Sequence, residues 1–243
     1  MKTLVDCLNL KKGVVSVIGS GGKTSLLQLL ARQLPVEKIL LSTTTKMGYP
    51  LKNSYDQFYQ RDFSQLGQAP GVTIAGVVSE HDGRKKITQP LDATFRDRFP
   101  CFDYVVLEAD GSKQLPLKGW ADFEPVVLPE TTTTIGIIPL SVLGHVIGPT
   151  TVHRLPLFLN LTEAAAGDVI TPVILKTVIE AATGLFQKAQ GHKILLLNQV
   201  ETTSAWLAAQ MLAQQVDKSV VDQIVAGSTR QNKGVVLWQR SMN

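Results

Sequence analysis

The sequence predicts an α/β protein built on a mostly parallel sheet, and three observations predict it. Apolar, β-branched runs alternate along the chain with helical patterns, the signature of βαβ units. The first run ends in a glycine-rich loop, Gly19-Ser20-Gly21-Gly22-Lys23-Thr24, which opens directly into a helical pattern. Acids, hydroxyls and amides then recur where later apolar runs stop, and in an open α/β sheet that edge receives ligands. Strand, glycine loop and helix in that order form a phosphate cradle. The expected architecture is therefore a P-loop NTPase-like three-layer fold with one β-hairpin insertion and a helical lid at 150–190.

The elements follow in order. Residues 14–18 form the first strand and 24–33 the first helix, with Pro35 as its stop. Residues 37–43 form a second strand. The stretch 47–71 is polar, carries aromatics and has no clear period. Residues 71–79 and 85–88 read as the arms of a hairpin around Asp82-Gly83. A short helix is expected over 91–99, and strands over 102–107 and 133–140. Residues 155–190 read as mainly helical, broken at Gly167 and Pro172. Then come a strand at 193–197, a helix at 203–215, a strand at 220–225 and a terminal strand or helix at 235–240. No composition shift marks a boundary, so residues 1–243 read as a single nucleotide-binding domain.

Composition narrows the class. Of 243 residues, 44% are hydrophobic and 18% charged, an ordinary globular balance. No apolar run approaches the ~18 residues of a membrane span, so no membrane partner is expected. Residues 1–12 mix charge and apolar side chains too evenly for a signal peptide. Cys7 and Cys101 make neither a disulfide framework nor a metal cluster, and a reducing cytoplasm is the expected location. The net charge of +4 is mild. Its basic residues are scattered except for Arg84-Lys85-Lys86, which reads as a solvated hairpin rather than a nucleic-acid surface.

The chemistry starts at the loop. Gly19, Ser20, Gly21, Gly22 and Ser25 are candidates to cradle phosphates. Lys23 adds a point charge for the β- and γ-phosphates, and the Thr24 hydroxyl can bind Mg²⁺. The loop departs from the usual pattern: Val17 stands where an earlier glycine is common, and the loop is two residues shorter. Glu108-Ala109-Asp110-Gly111-Ser112-Lys113 ends a buried strand. Glu108 is placed as the metal-side carboxylate, and Asp110 as the group that orients a water or accepts a proton. Thr44 and Lys46 end the second strand, with a hydroxyl for metal or phosphate and a cation for developing charge. Arg154 follows a Gly/Pro/Thr-rich loop and can reach a γ-phosphate or an anionic substrate, as can Lys113 and Lys118. Asn198-Gln199-Val200-Glu201 ends a late strand, where many P-loop GTP-binding proteins carry Asn-Lys-x-Asp. There the Asn bridges loop and base, and the acid accepts two hydrogen bonds from guanine. Here Gln and Glu replace Lys and Asp, so ATP and GTP both remain open.

Three motifs come in a fixed order: Gly-Ser-Gly-Gly-Lys-Thr at 19–24, Thr-Thr-Thr-Lys-Met at 43–47 and Glu-Ala-Asp-Gly-Ser-Lys at 108–113. Pro116-Leu117-Lys118, Glu124-Pro125 and Val152-His153-Arg154 follow. The combination, from about residue 13 to about 201, resembles the selenium-dependent hydroxylase accessory protein family, called YqeC. The resemblance implies a P-loop nucleotide-binding fold and a role in maturing selenium-dependent molybdenum hydroxylases, with such a hydroxylase or its cofactor-maturation proteins as partner. The residues themselves speak for Mg²⁺ and a nucleoside triphosphate, ATP or GTP. They leave open a hydrolase or phosphotransferase, a Mur-type amide ligase, and a nucleotide-gated chaperone without catalysis.

Overall fold

A central parallel strand is buried on both faces, so its side chains divide between two cores. Val15 and Val17 of the first strand, Gly13–Gly19 (β1), pack with Leu26, Leu27 and Leu30, whereas Ile18 joins a cluster on the opposite face. The computed structural model describes residues 2–34, 37–50, 54–81, 83–90 and 93–241. Pro35, Asp82 and Leu91, to which the sequence assigns a helix stop, a turn and a helix start, lie outside them.

The chain begins with a short helix, Leu4–Leu8 (α1), for which no element was expected. Its start is fixed by a capping box between Thr3 and Asp6, and Leu4 and Leu8 are buried. After β1 comes Lys23–Gln33 (α2), then strands Lys38–Thr43 (β2), Lys46–Gly48 (β3) and Gln57–Tyr59 (β4). The 71–79 run is not one hairpin arm. It divides at Gly76, so that Gly71–Ala75 (β5) joins the parallel sheet while Val77–His81 (β6) pairs with Arg84–Thr88 (β7). A 3₁₀ helix, Ala93–Cys101, stands where the short helix is expected. Tyr104–Glu108 (β8), Leu117–Lys118 (β9), Thr131–Pro139 (β10) and Val152–His153 (β11) follow. The 155–190 segment is helical in two short pieces, Leu155–Thr162 (α3) and Pro172–Glu180 (α4). The expected lid is built into the core, since Phe158, Leu175, Val178 and Ile179 belong to the cluster on the Ile18 face. His192–Asn198 (β12), Thr203–Gln215 (α5), Gln223–Ser228 (β13) and Lys233–Gln239 (β14) complete the chain. β13 starts three residues later than expected because Val220 is tied into a turn on the Asp217 carbonyl. No helix among the described residues is long and apolar enough to cross a membrane.

The main sheet has the order β14-β13-β12-β10-β1-β8-β2-β5-β4. All neighbours are parallel except the β13–β14 pair at one edge. With α1 and α2 on one face and α3, α4 and α5 on the other, the fold is the expected three-layer, P-loop NTPase-like α/β/α arrangement. Register then sets the site. Glu108 of β8 lies beside both Val17 of β1 and Thr43 of β2; Gly19 lies beside Ile137 of β10; Pro139 lies beside Asn198 of β12. The carboxyl ends of five parallel strands therefore meet on one line, as ligand sites of open α/β sheets require.

Candidate functional site at the carboxyl edge of the sheet

The loop turns from β1 into α2 through backbone that only glycine adopts freely. Gly19 and Gly22 have φ of +90° and +143°, and a Cβ on them would stand 2.3 Å from the Ile137 carbonyl oxygen and 2.2 Å from Asn198 Nδ2. Two loop carbonyls are already taken by side chains. Lys23 Nζ donates to the Gly19 carbonyl at 2.6 Å, and the Gly21 carbonyl accepts from Asn198 Nδ2 at 2.8 Å and Gln199 Nε2 at 3.2 Å. Ser20 is buried and donates its hydroxyl to the Pro116 carbonyl at 2.7 Å. Among the described residues the N–H groups of Gly21 and Gly22 have no protein acceptor. With the start of α2 behind them, they form a concavity of donors suited to an anion.

On one side of the loop the Thr24 hydroxyl donates to Glu108 Oε2 at 3.2 Å. Thr24 and Ser25 are exposed, and Glu108 is buried. Burial pushes the Glu108 carboxyl above its ordinary range, and Lys23 is the largest opposing influence. A hard divalent cation would favour the ionised form of this carboxyl, and its oxygens and the Thr24 hydroxyl are the donors such a cation takes. Lys86 also lowers the Glu108 pKa, so the half-buried lysine of the basic hairpin contributes positive charge here. Sequence reasoning gave Lys86 to solvent. The β3–β7 pairing, which folds the insertion back over this edge, was not legible in the polar stretch. Thr44, expected to offer a hydroxyl, spends it on the Val126 carbonyl at 2.6 Å, and its own N–H bonds the Glu108 carbonyl. Lys46 is exposed on β3, opposite Thr88.

On the other side lies a ladder of charges. Lys23, 5% exposed, stands 3.2 Å from Asp110 Oδ1. Asp110 Oδ2 stands 3.4 Å from Lys118 Nζ and accepts from the Gly19 N–H and the Trp120 indole, each at 3.0 Å. Lys118 reaches Glu124 Oε2 at 2.9 Å and the Gly111 carbonyl at 2.7 Å. Glu124 Oε1 meets Arg154 Nη2 at 3.2 Å, and the Arg154 guanidinium lies 5.1 Å from the centre of the Phe123 ring. Asp110 is fully enclosed, so it holds the loop and its lysine in place, and the expected contact with a nucleophile is not open to it. Lys118 is likewise fully buried and not an anion contact, while Lys113 remains exposed.

A third set faces the far end of the loop. Asn198 is buried, and besides holding Gly21 it accepts the Thr229 N–H at 3.0 Å. Glu201 accepts from the Ser228 hydroxyl at 2.7 Å. Gly22, Ser25, Gln199, Glu201 and Thr229 line one cleft of about 940 Å³, together with Leu143, Ile170, Ala205 and Ala208. The volume matches a small-ligand site, and Ser141, Thr171, Thr202, Ser204 and Arg230 make much of the remaining lining polar. Of the sequence candidates, the structure thus gathers Gly19 to Ser25, Glu108, Asp110, Asn198 and Glu201 at one edge. It sets Arg154 at the far end of the ladder.

Fold and edge together define an α/β three-layer protein of P-loop NTPase-like class. The YqeC protein family model matches residues 15–156, more than half of the chain, and the chain belongs to that family. The chain is also similar to the "Uncharacterized protein YqeC" of Escherichia coli (strain K12), with 25% identity over 233 residues, covering 91% of this chain and 90% of the relative.

Proposed function

We propose that the protein binds a nucleoside triphosphate with Mg²⁺ at this edge and hydrolyses it or transfers its terminal phosphoryl group. One observation carries the reading. A buried carboxyl and the hydroxyl of an exposed threonine stand 3.2 Å apart beside a glycine loop in which the Gly21 and Gly22 N–H groups have no acceptor among the described residues. Gly21, Gly22 and the first turn of α2 hold the phosphates, and Lys23 offsets their charge. Thr24 and Glu108 hold Mg²⁺, which supplies charge neutralisation on the phosphate oxygens. Asn198 and Glu201 face the nucleoside. The resemblance of its motifs implies a role as accessory to the maturation of selenium-dependent molybdenum hydroxylases, and the two free cysteines fit a reducing cytoplasm.

One feature favours slow, partner-gated turnover within this reading. Asp110, the acid nearest the loop lysine, is fully enclosed and committed to Lys23, Lys118, Gly19 and Trp120. A partner that supplies or exposes an acid then accelerates the reaction.

The test is a thermal-shift series with ATP, GTP and their diphosphates, with and without Mg²⁺, paired with phosphate release. A concentration-dependent rise in the midpoint that needs Mg²⁺ is expected. Lys23→Ala abolishes turnover and leaves the circular dichroism spectrum unchanged. No response to any nucleotide refutes the proposal.

A further inference from the structure

We propose that the protein carries a second small-molecule site, at the opposite edge of the sheet, and that it takes an amphiphilic organic anion. The ligand has an apolar body, a hydroxyl or N–H at its inner end and a carboxylate at its outer end. A cavity of about 540 Å³ lies where the strands begin. The length of β12, His192–Asn198, or about 20 Å, separates it from the phosphate loop. Its volume is that of a small-ligand site.

Thr133 of β10, Ile194 of β12 and Gln223 of β13 form the floor, and residues 9–12, which leave α1, form a wall. Thr133 and Gln223 are only 5% and 1% exposed, yet each keeps a polar atom unspent. The Gln223 amide is oriented, since Nε2 donates to the Cys7 carbonyl at 2.7 Å. Oε1 is the atom left over, and no donor among the described residues reaches it. The Thr133 hydroxyl likewise has no partner among the described residues. Buried polar groups are ordinarily hydrogen-bonded, so two on one cavity floor point to a polar partner. An amide oxygen only accepts, so the group that meets Gln223 is a donor. Leu10, Ile194 and the lysine stems keep the middle of the cavity apolar. At the mouth the charge left over is positive. Asp222 is the one acid among the lining residues, and it is spent: Oδ2 accepts the Lys193 N–H at 2.9 Å, and Oδ1 stands 3.4 Å from Arg240 Nε. Lys12 is paired with Asp103. Lys11 is exposed and has no partner among the described residues, and a carboxylate is its complement.

The probe is 6-hydroxy-2-naphthoate, whose rings hold the hydroxyl and the carboxylate at opposite ends. Its fluorescence gives Kd for the full chain. Two analogues are measured beside it: 2-naphthoate, which lacks the hydroxyl, and 6-(hydroxymethyl)-2-naphthol, which lacks the charge. Each binds roughly three- to tenfold more weakly than the probe, and the loss with the uncharged analogue shrinks at high salt. Thr133→Val and Lys11→Glu weaken the probe by a similar factor and leave the melting midpoint within about 2 °C. Mg²⁺-ATP leaves the probe's Kd unchanged, so the outcome here and the outcome for the nucleotide edge are read separately. Equal affinity for 2-naphthoate leaves the floor to water and overturns the inner donor. Equal affinity for the uncharged analogue overturns the anion. The site itself is overturned by displacement of the probe with Mg²⁺-ATP, by binding indifferent to both substitutions, or by no saturable binding below about 1 mM.

Discussion

The two flanks of the glycine loop are built on opposite principles. On the Asp110 flank the charges alternate from Lys23 through Asp110, Lys118 and Glu124 to Arg154, each within about one hydrogen-bond length of the next. On the Glu108 flank a buried carboxyl has, among the described residues, one threonine hydroxyl and more distant lysines. Burying charge is costly unless it is paired and hydrogen-bonded. The first flank pairs each charge with an opposite one, although Asp110 Oδ1 and Arg154 Nε make no hydrogen bond among the described residues, whereas the Glu108 carboxyl has no cation in contact there. Charges paired with one another fix a backbone, while a buried carboxyl without a cation in contact is a place where one can be bound. The same residue types therefore carry different meanings a few ångströms apart.

The largest test of this contrast is Lys118→Met. Removing the shared cation leaves Asp110 and Glu124 buried without it, and breaking such a pair costs about 3–5 kcal/mol. A fall of about 10 °C in the melting midpoint is expected for a chain of this size, or failure to fold. A midpoint that moves by under 2 °C shows that the ladder does not hold the loop.

The opposite behaviour is expected of Glu108→Gln. Burial disfavours its ionised form, so the neutral amide keeps or slightly raises the midpoint of the free protein. The Mg²⁺-dependent part of nucleotide affinity falls roughly 10–100-fold, as for other groups that order a metal. If Mg²⁺ dependence survives in calorimetry, the metal lies elsewhere.

Lys86→Ala probes the same flank at longer range. Nucleotide affinity drops about two- to fivefold and more at low salt, with the midpoint nearly unchanged. An effect independent of salt contradicts an electrostatic role.

The exposed pair of Lys12 and Asp103, 2.5 Å apart, serves as the weak limit. Lys12 and the N–H groups of Lys38 and Glu37 hold Asp103 below the ordinary carboxylate range. A lowered folded value means the contribution is present above the unfolded value and lost as pH falls through the folded one, so it fades below about pH 4. Lys12→Ala shifts the midpoint by less than about 2 °C at pH 7 and less again at pH 3. A shift as large as that of Lys118→Met erases the distinction between buried and exposed pairing.

The sequence carried the frame of the fold and the outline of the site unevenly. Thr203–Gln215 was legible to the residue because Thr202 caps it and Val216 ends its pattern. The strands flanking the loop were legible as apolar runs. β3 and β4 were not, since three-residue strands have too few positions to show a period. α1 escaped because it is only five residues long, although its Thr3 and Asp6 capping box was there to be read. In the site, Asn198 was readable as a contact of the loop because the strand end places it, but its tie to Thr229 was not. Asp110 was not readable as enclosed. Its burial depends on Trp120 and Lys118, which a two-strand ribbon of β9 and β11 folds over it. Local pattern reports what a strand end offers to solvent, but not what a later segment lays across it.

The occupied carbonyls of Gly19 and Gly21 have a last consequence. With Lys23, Asn198 and Gln199 already holding them, the loop has one shape before any anion arrives. The conformational entropy of ordering a glycine-rich segment, the largest of any residue type, is thus charged to folding and not to ligand capture. An incoming phosphate meets an arranged surface and keeps more of its interaction energy as affinity.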